Sequence, residues 1–464
     1  MAEQAKFTQG SLIKHISVMS LTSSVGLMAI FLVDFIDMVF ISMLGKAELA
    51  AAVGYAGAIL FFTTSFGIGM AIACGALVSR ALGEGDASRA RLVASHALVY
   101  GVIFGALFAA VVWAFLPQLA ALMGATGETQ DLTVMYLAII IPSLPILVVG
   151  MMGGAILRAH GDAKRSMTAT VMGGVVNAVL DPILIFGLDM ELAGAALASV
   201  AARITICVFA LRPVFRFYGG LERPDAAELM GDLRPVLTIA LPAILTQLAT
   251  PIGQAYVTRS MAAYGEDAVA GMAIVARITP VAFGVLFALS GAIGPVIGQN
   301  YGAGLYPRVR GALRDGLMFC AVVVAAISVV LFLLRDPIVF LFEAEGLAVT
   351  LIYLFCGPLA LLFFFNGALF VANASFNNLG HPFYSTWINW GRHTLGTIPF
   401  VVAFGAWLGA PGVLVGQAVG GVLFGGLAIW LAYRVTDKAE AERVAPQKPF
   451  ARQSRLMALV QHRR

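Results

Sequence analysis

Long apolar stretches alternate with short polar breaks from the first residues to about residue 434. A helix needs about 20 apolar residues to cross the hydrocarbon core of a bilayer, so each stretch predicts one membrane-spanning helix. Twelve spans are predicted, at roughly residues 13–43, 51–79, 92–116, 131–157, 166–188, 192–217, 235–262, 269–298, 311–334, 346–375, 383–408 and 411–434. The pattern therefore predicts an all-α membrane protein.

Charge placement in the polar breaks predicts the topology. Breaks after even-numbered spans are basic, and they hold Arg80, Arg89, Arg91, Arg158, Lys164, Arg165, Arg212, Arg216, Arg308, Arg310 and Arg314. Breaks after odd-numbered spans are acidic or neutral. Because basic loops stay inside, both termini are expected in the cytoplasm and the protein in the plasma (inner) membrane.

The chain also repeats itself at a shift of 219 residues. The shift carries residues 80–85, after span 2, onto residues 299–304, after span 8. Such repeats indicate two related units. We expect two six-helix, pseudo-symmetric lobes at residues 1–217 and 235–434, a cytoplasmic linker at 218–234 and a basic cytoplasmic tail at 435–464. An even number of spans in each copy predicts an axis along the membrane normal.

The overall composition supports a membrane protein but says less about its topology than the positions of the charged residues do. Hydrophobic residues make up 60% of the 464 and charged residues 12%, with a mean hydropathy of +0.91, which excludes a soluble domain. The four cysteines lie inside apolar stretches without paired spacing, which predicts buried thiols and no metal site. We expect no enzyme activity, no cofactor and no nucleic-acid partner. The sequence has no phosphate-binding loop, so we do not expect transport to be driven directly by ATP.

Carboxyl groups inside spans 1 and 5 are the candidate chemistry. Asn177 and Asp181 share a face of span 5, and Asp34 and Asp37 lie late in span 1. Ionisable groups at this depth usually face a bundle interior or a water-filled cavity, and two close carboxyl groups can share a proton. We predict that Asp34, Asn177 and Asp181 converge, with Asp37 a secondary candidate. A structural hydrogen bond between the two spans is the alternative.

The second half lacks deep acidic residues in its spans. Further secondary candidates are polar or cationic groups within spans: Arg203, Gln254, Arg277, Asn366 and Asn373. For the arginines, pairing with helix carbonyls or a carboxylate is the alternative to a role in gating. Proton chemistry is therefore expected in the first half.

The repeated six-span halves, together with residues 32–34, 83–86, 157–162 and 177–182, resemble the multidrug and toxic compound extrusion (MATE) transporters. Residues 273–278 look like the DNA-damage-inducible (DinF-like) branch. The resemblance implies a central V-shaped cavity between the lobes and a cation site at Asp34, Asn177 and Asp181, joined by Ser199. Thr250 and Asn366 stand where another branch has carboxylates, which argues against a Na⁺ site in the second half.

The leading hypothesis is a secondary multidrug antiporter that exports cationic or amphipathic compounds in exchange for inward H⁺ or Na⁺. We expect a monomer whose partners are these compounds and membrane lipid. Either ion suits the oxygens of Asp34, Asn177 and Asp181. A flippase for a lipid-linked oligosaccharide or another amphipathic lipid is the alternative, and an intramembrane aspartyl protease is a third.

Overall fold

The computed structural model describes residues 5–224 and 226–444. Every regular element in those ranges is helical. The α-helices are α1 Leu12–Met43, α2 Ala47–Gly83, α3 Ala87–Ala114, α4 Leu116–Leu122, α5 Gly127–Ile140, α6 Leu144–Ala159, α7 Ala163–Pro182, α8 Glu191–Phe217, α9 Ala226–Ala262, α10 Glu266–Ala282, α11 Gly284–Gly302, α12 Tyr306–Leu341, α13 Gly346–Leu354, α14 Ala360–Leu362, α15 Phe364–Asn378, α16 Pro382–His393, α17 Ile398–Leu408 and α18 Ala410–Val444.

Nine helical segments of the described chain are long and apolar enough to cross a membrane, counting Gly127–Ala159 and Ala163–Gly187 as one segment each. The number is eleven if each of two bent pairs counts as one further span. The bent pairs are α10 with α11, at 48°, and residues 346–362 with α15, at 41°. The remaining predicted span, at 383–408, falls on the short helices α16 and α17. An all-helical membrane architecture is thus confirmed.

Several spans are interrupted, and proline or glycine lies at most interruptions. Pro142 follows α5, and Pro182 ends α7 before a π-helical turn at Ile183–Gly187. A second π-helical turn, Phe355–Leu359, contains Gly357 and Pro358. Proline lacks the amide hydrogen that the helix ladder needs. Irregular backbone at membrane depth is tolerated where it is buried in protein or lines a cavity.

The two halves meet at one end of the bundle, where α2 and α11 cross. A Cβ atom at Gly83 would lie 2.1 Å from the Gln299 carbonyl oxygen, and one at Gly302 would lie 2.1 Å from the Arg80 carbonyl oxygen. Gly83 and Gly302 correspond under the shift of 219, as do Arg80 and Gln299, so the contact is reciprocal. We name the end formed by residues 5–10, 80–91, 159–165, 218–224 and 299–308 the terminus face.

The predicted linker is partly helical, because α9 begins at Ala226. Its first turns lie on α3: Asp232 accepts hydrogen bonds from Arg89 and from His96, the latter at 2.7 Å, and the Tyr100 hydroxyl donates to the Leu229 carbonyl. The polar residues of this segment predict a linker. In the structure, however, those polar groups form hydrogen bonds with the first half. The predicted tail is helical to Val444, and residues 445–464 lie outside the described chain.

Candidate cation-coupling site

Helices α1 and α7 position the candidate carboxyl groups. The two helices pack closely where α7 carries small residues: a Cβ atom at Gly174 would lie 3.0 Å from Val33 Cγ2. Asn177 and Asp181 are four residues apart and therefore lie on the same face of α7. Both are buried, with Asp181 0% and Asn177 6% exposed.

A hydrogen-bonded cluster joins Asp37, Asn177 and Asp181. The Asn177 amide nitrogen Nδ2 donates to Asp181 Oδ2 at 2.8 Å and lies 3.4 Å from Asp37 Oδ1. The Asp37 and Asp181 carboxyl groups are within hydrogen-bonding reach of each other. Asp181 Oδ1 is buried and receives no hydrogen bond from any residue that the structure describes. Protonation of one of the two carboxyl groups would make it a donor to the other.

This arrangement can bind and release a proton. Two ionised carboxylates at such a short distance repel each other, and burial penalises both charges, so one shared proton is the favoured state. A sodium ion would instead need oxygen ligands at the same place. The Asn177 amide nitrogen points at the carboxyl oxygens here, and a half-turn of the amide would present its oxygen to a cation instead.

The structure brings Asp37, and not Asp34, to Asn177. Asp34 lies one turn earlier in α1 and its side chain is exposed, with no hydrogen-bond partner among the described residues. The reason is geometric: a shift of three residues rotates a side chain by about 60° from the same direction and lowers it by about 4.5 Å. The structure thus adds Asp37 to the predicted set, and the role of Asp34 in the cation site stays a prediction.

Tyr136 in α5 is a neighbour that the sequence reasoning missed. Its side chain is 7% exposed, and Ser199 in α8 lies within hydrogen-bonding reach of its hydroxyl group. Arg203, one turn after Ser199, donates to the Ile140 carbonyl oxygen at 3.2 Å and to Ser143 Oγ at 2.9 Å. Arg203 thus stabilises the break between α5 and α6. This contact is the pairing with helix carbonyls that the sequence analysis gives as the alternative to a role in gating.

Comparison with known proteins decides the family. The family model described as MatE matches residues 23–183 and 242–421. The chain belongs to the MatE family. MATE proteins are membrane transporters and not enzymes.

Named relatives of this MATE chain transport different compounds. An FAD transporter of Shewanella oneidensis is 29% identical over 437 residues, which cover 91% of this chain and 95% of the relative. The multidrug export protein MepA of Staphylococcus haemolyticus is 23% identical, over 95% of this chain and 97% of the relative.

Solved MATE structures share the fold. A MATE transporter crystallised with MaL6 matches with a TM-score of 0.87 and 23% identity, covering 95% of this chain and 100% of that one. An outward-facing multidrug resistance MATE transporter of the MOP superfamily also matches with a TM-score of 0.87, at 22% identity, over 94% of this chain and 98% of that one.

The candidates in the second half of this MATE chain do not join the carboxyl cluster. Gln254 accepts a hydrogen bond from Gln417 Nε2 at 3.0 Å, and the Asn373 side-chain oxygen accepts one from Asn389 Nδ2 at 3.2 Å. The Asn366 side chain is half-buried, and Arg277 is exposed on α10. These residues belong to other surroundings than the pair of Asp37 and Asp181.

Proposed function

We propose that the protein is a secondary active multidrug antiporter that exports cationic or amphipathic compounds in exchange for inward H⁺. The cluster of Asp37, Asn177 and Asp181 carries the proposal, because it offers one buried oxygen without a donor next to a second carboxyl group. No cofactor beyond the coupling ion is needed. Residues 273–278 support the DNA-damage-inducible branch within the family.

The proposal includes the arrangement in the membrane. The two six-span halves form lobes around a V-shaped cavity, in a monomer of the inner membrane. The terminus face is cytoplasmic, and its positive residues support this orientation. The tight crossing of α2 and α11 lies on that face, so the cavity opens to the outside in this conformation.

Protonation then biases the balance between two conformations. A ligand shifts such a balance only by the difference in its affinity for the two states. Protonation of the pair removes a negative charge from the cavity wall, which weakens its attraction for a cationic drug. Release of the drug outside and entry of a proton are thereby linked.

Substitution of the three aspartates tests the coupling. Asp181→Asn and Asp37→Asn should each abolish dye efflux driven by a pH gradient in proteoliposomes, because neither variant can hold the shared proton. Asp34→Asn, one turn earlier in α1, tests whether the third carboxyl group of the predicted site is needed for coupling as well. A pH gradient and a Na⁺ gradient are imposed separately.

Two results would count against the proposal. Full efflux by Asp181→Asn would remove the carboxyl pair from coupling. Efflux driven by the Na⁺ gradient alone, at constant pH on both sides, would assign the coupling ion to Na⁺.

A second candidate function is export of an anionic flavin nucleotide. The FAD transporter relative suggests it, and two arginines of the second half support it. Arg277 lies 11 residues into α10 and Arg392 lies 10 residues into α16, which places each about 15 Å along its helix, near mid-membrane. Within the described chain neither guanidinium group has an ion-pair partner.

Arginine at that depth is costly unless it faces water or a ligand, and guanidinium groups bind diphosphates well. Arg392 also lies one residue before the end of α16, next to the break between α16 and α17, and broken spans often form transporter binding sites. If flavin nucleotides are substrates, Arg392→Gln should lower FAD transport about tenfold or more and leave export of a cationic dye intact. Arg259→Gln, on an exposed residue near the end of α9, is the control. No FAD transport by the unmodified protein would exclude this candidate.

A further inference from the structure

A short segment before α1, residues 5–10, lies across the terminus face and contacts both halves of the chain. It contains one 3-10 turn, Lys6–Thr8. Lys6 Nζ donates to the Gly161 carbonyl oxygen of the first half at 2.9 Å. The Phe7 amide donates to Gln299 Oε1 of the second half at 2.8 Å.

Gln299 connects the same three parts. While its Oε1 accepts from Phe7, its Nε2 donates to the Ala159 carbonyl oxygen of the first half at 2.7 Å. Its own backbone carbonyl lies against Gly83 at the crossing of α2 and α11. The segment is therefore bonded to the residue whose backbone carbonyl lies at the crossing of α2 and α11.

The other bonds of the segment reach the second half. The Phe7 carbonyl oxygen accepts from Asn300 Nδ2 at 3.0 Å and from Arg308 Nη2 at 2.9 Å. The Gly10 carbonyl oxygen accepts from Arg308 Nη1 at 3.1 Å, and Arg308 Nε donates to Asn300 Oδ1 at 2.9 Å. The backbone of the segment is thus specifically bound and does not merely rest on the surface.

The Phe7 ring is the apolar anchor of the segment. It is 1% exposed and belongs to the buried cluster of the second half, which also includes Ala163 of the first half. A Cβ atom at Gly161 would lie 3.1 Å from Phe7 Cζ, so the ring also contacts the first half. Its burial depends on both halves being together.

We infer that residues 5–10 form a strap that holds the two halves together at the terminus face and stabilises this conformation. When that face opens, the bond from Gln299 to Ala159 must break. Either the bond of Lys6 to Gly161 or the bonds of residues 7–10 to Gln299, Asn300 and Arg308 must break with it. The strap rests on the proposed function in one respect, that the terminus face opens during transport.

The test measures the opening directly in the full chain. Spin labels on Lys164→Cys and Arg314→Cys report the distance between the halves at the terminus face in lipid nanodiscs. Phe7→Ala should raise the open fraction at least tenfold, and Phe7→Leu, which keeps an apolar anchor, should raise it much less. Lys14→Ala, on an exposed residue of α1, is the control and should leave the distances unchanged.

Arg308→Gln supplies a second variant if Phe7→Ala does not fold. It removes the three hydrogen bonds from the Arg308 guanidinium group to the Phe7 and Gly10 carbonyl oxygens without changing the buried ring. It should also raise the open fraction. Distances in a folded Phe7→Ala or Arg308→Gln variant that equal those of Lys14→Ala would overturn the strap. The distance readout is independent of transport. Failure of the proposed function would appear separately, as no efflux driven by a pH gradient in the unmodified protein.

Discussion

The crossing of α2 and α11 allows the most quantitative prediction. In Gly302→Ala the new methyl group would meet the Arg80 carbonyl oxygen at 2.1 Å, whereas ordinary contacts begin near 3.4 Å. The obstacle is backbone, so no side-chain rotation can relieve the clash, and the helices must separate. Overpacking of this kind costs about 1–3 kcal/mol, which corresponds to a shift of about 5- to 150-fold in a two-state equilibrium.

Hydrogen–deuterium exchange of residues 80–91 and 299–308 measures that shift. We expect faster exchange in both ranges for Gly302→Ala and for Gly83→Ala, since the contacts are reciprocal. Gly57→Ala is the matched control, because Gly57 lies in the same helix as Gly83 and a Cβ atom there meets nothing within 4 Å. Exchange in Gly302→Ala equal to that in Gly57→Ala would refute the packing argument.

Two further predictions concern the ends and breaks of helices in the first half. Asp162 accepts hydrogen bonds from Tyr218 at 2.7 Å and from the Arg165 amide at 3.1 Å. Partial burial opposes its ionisation, but the bonds from Tyr218 and Arg165 outweigh it and hold the pKa of Asp162 below its usual 3.8. Its stabilising effect is present above that usual pKa and is lost as pH falls through the lowered one, so the Tm in detergent should fall on acidification in this range, and less in Asp162→Asn. Arg203→Gln should lower the free energy of unfolding by about 1–3 kcal/mol, because the Ile140 carbonyl and Ser143 lose a donor; an unchanged Tm would contradict this.

The class of fold could be predicted from the sequence because twenty-residue apolar runs have one stable solution in lipid. Interruptions within the spans were harder to predict, because their hydrogen-bond partners come from distant helices. Arg203 at the break after Ile140 is an example. The start of α9 was missed for a similar reason: Asp232 is polar in sequence but is bound to His96 of α3.

The carboxyl site shows which of its contacts can be predicted from the spacing and membrane depth of its residues. Spacing correctly indicates that Asn177 and Asp181 share a face, because both lie on one helix. To predict whether Asp34 or Asp37 contacts Asn177, the membrane depth of each residue must be counted from the same end of α1 and α7. Asp37 lies six residues before the end of α1 (37 to 43), and Asp181 lies six before the end of its π-helical turn (181 to 187). That count favours Asp37 as the neighbour of Asp181. No pattern in the sequence shows that the Tyr136 side chain on α5 points toward this site.

Coupling through one proton shared by Asp37 and Asp181, as proposed, has a consequence for bioenergetics. If one proton enters for each monovalent cation that leaves, no net charge crosses the membrane, and the membrane potential supplies no driving force. Export of a dianion with entry of one proton would move the equivalent of three positive charges inward, each worth about 2.3 kcal/mol per 100 mV. With the same carboxyl pair, the membrane potential would then help to drive export of a dianion, whereas export of a monovalent cation would depend on the pH gradient alone.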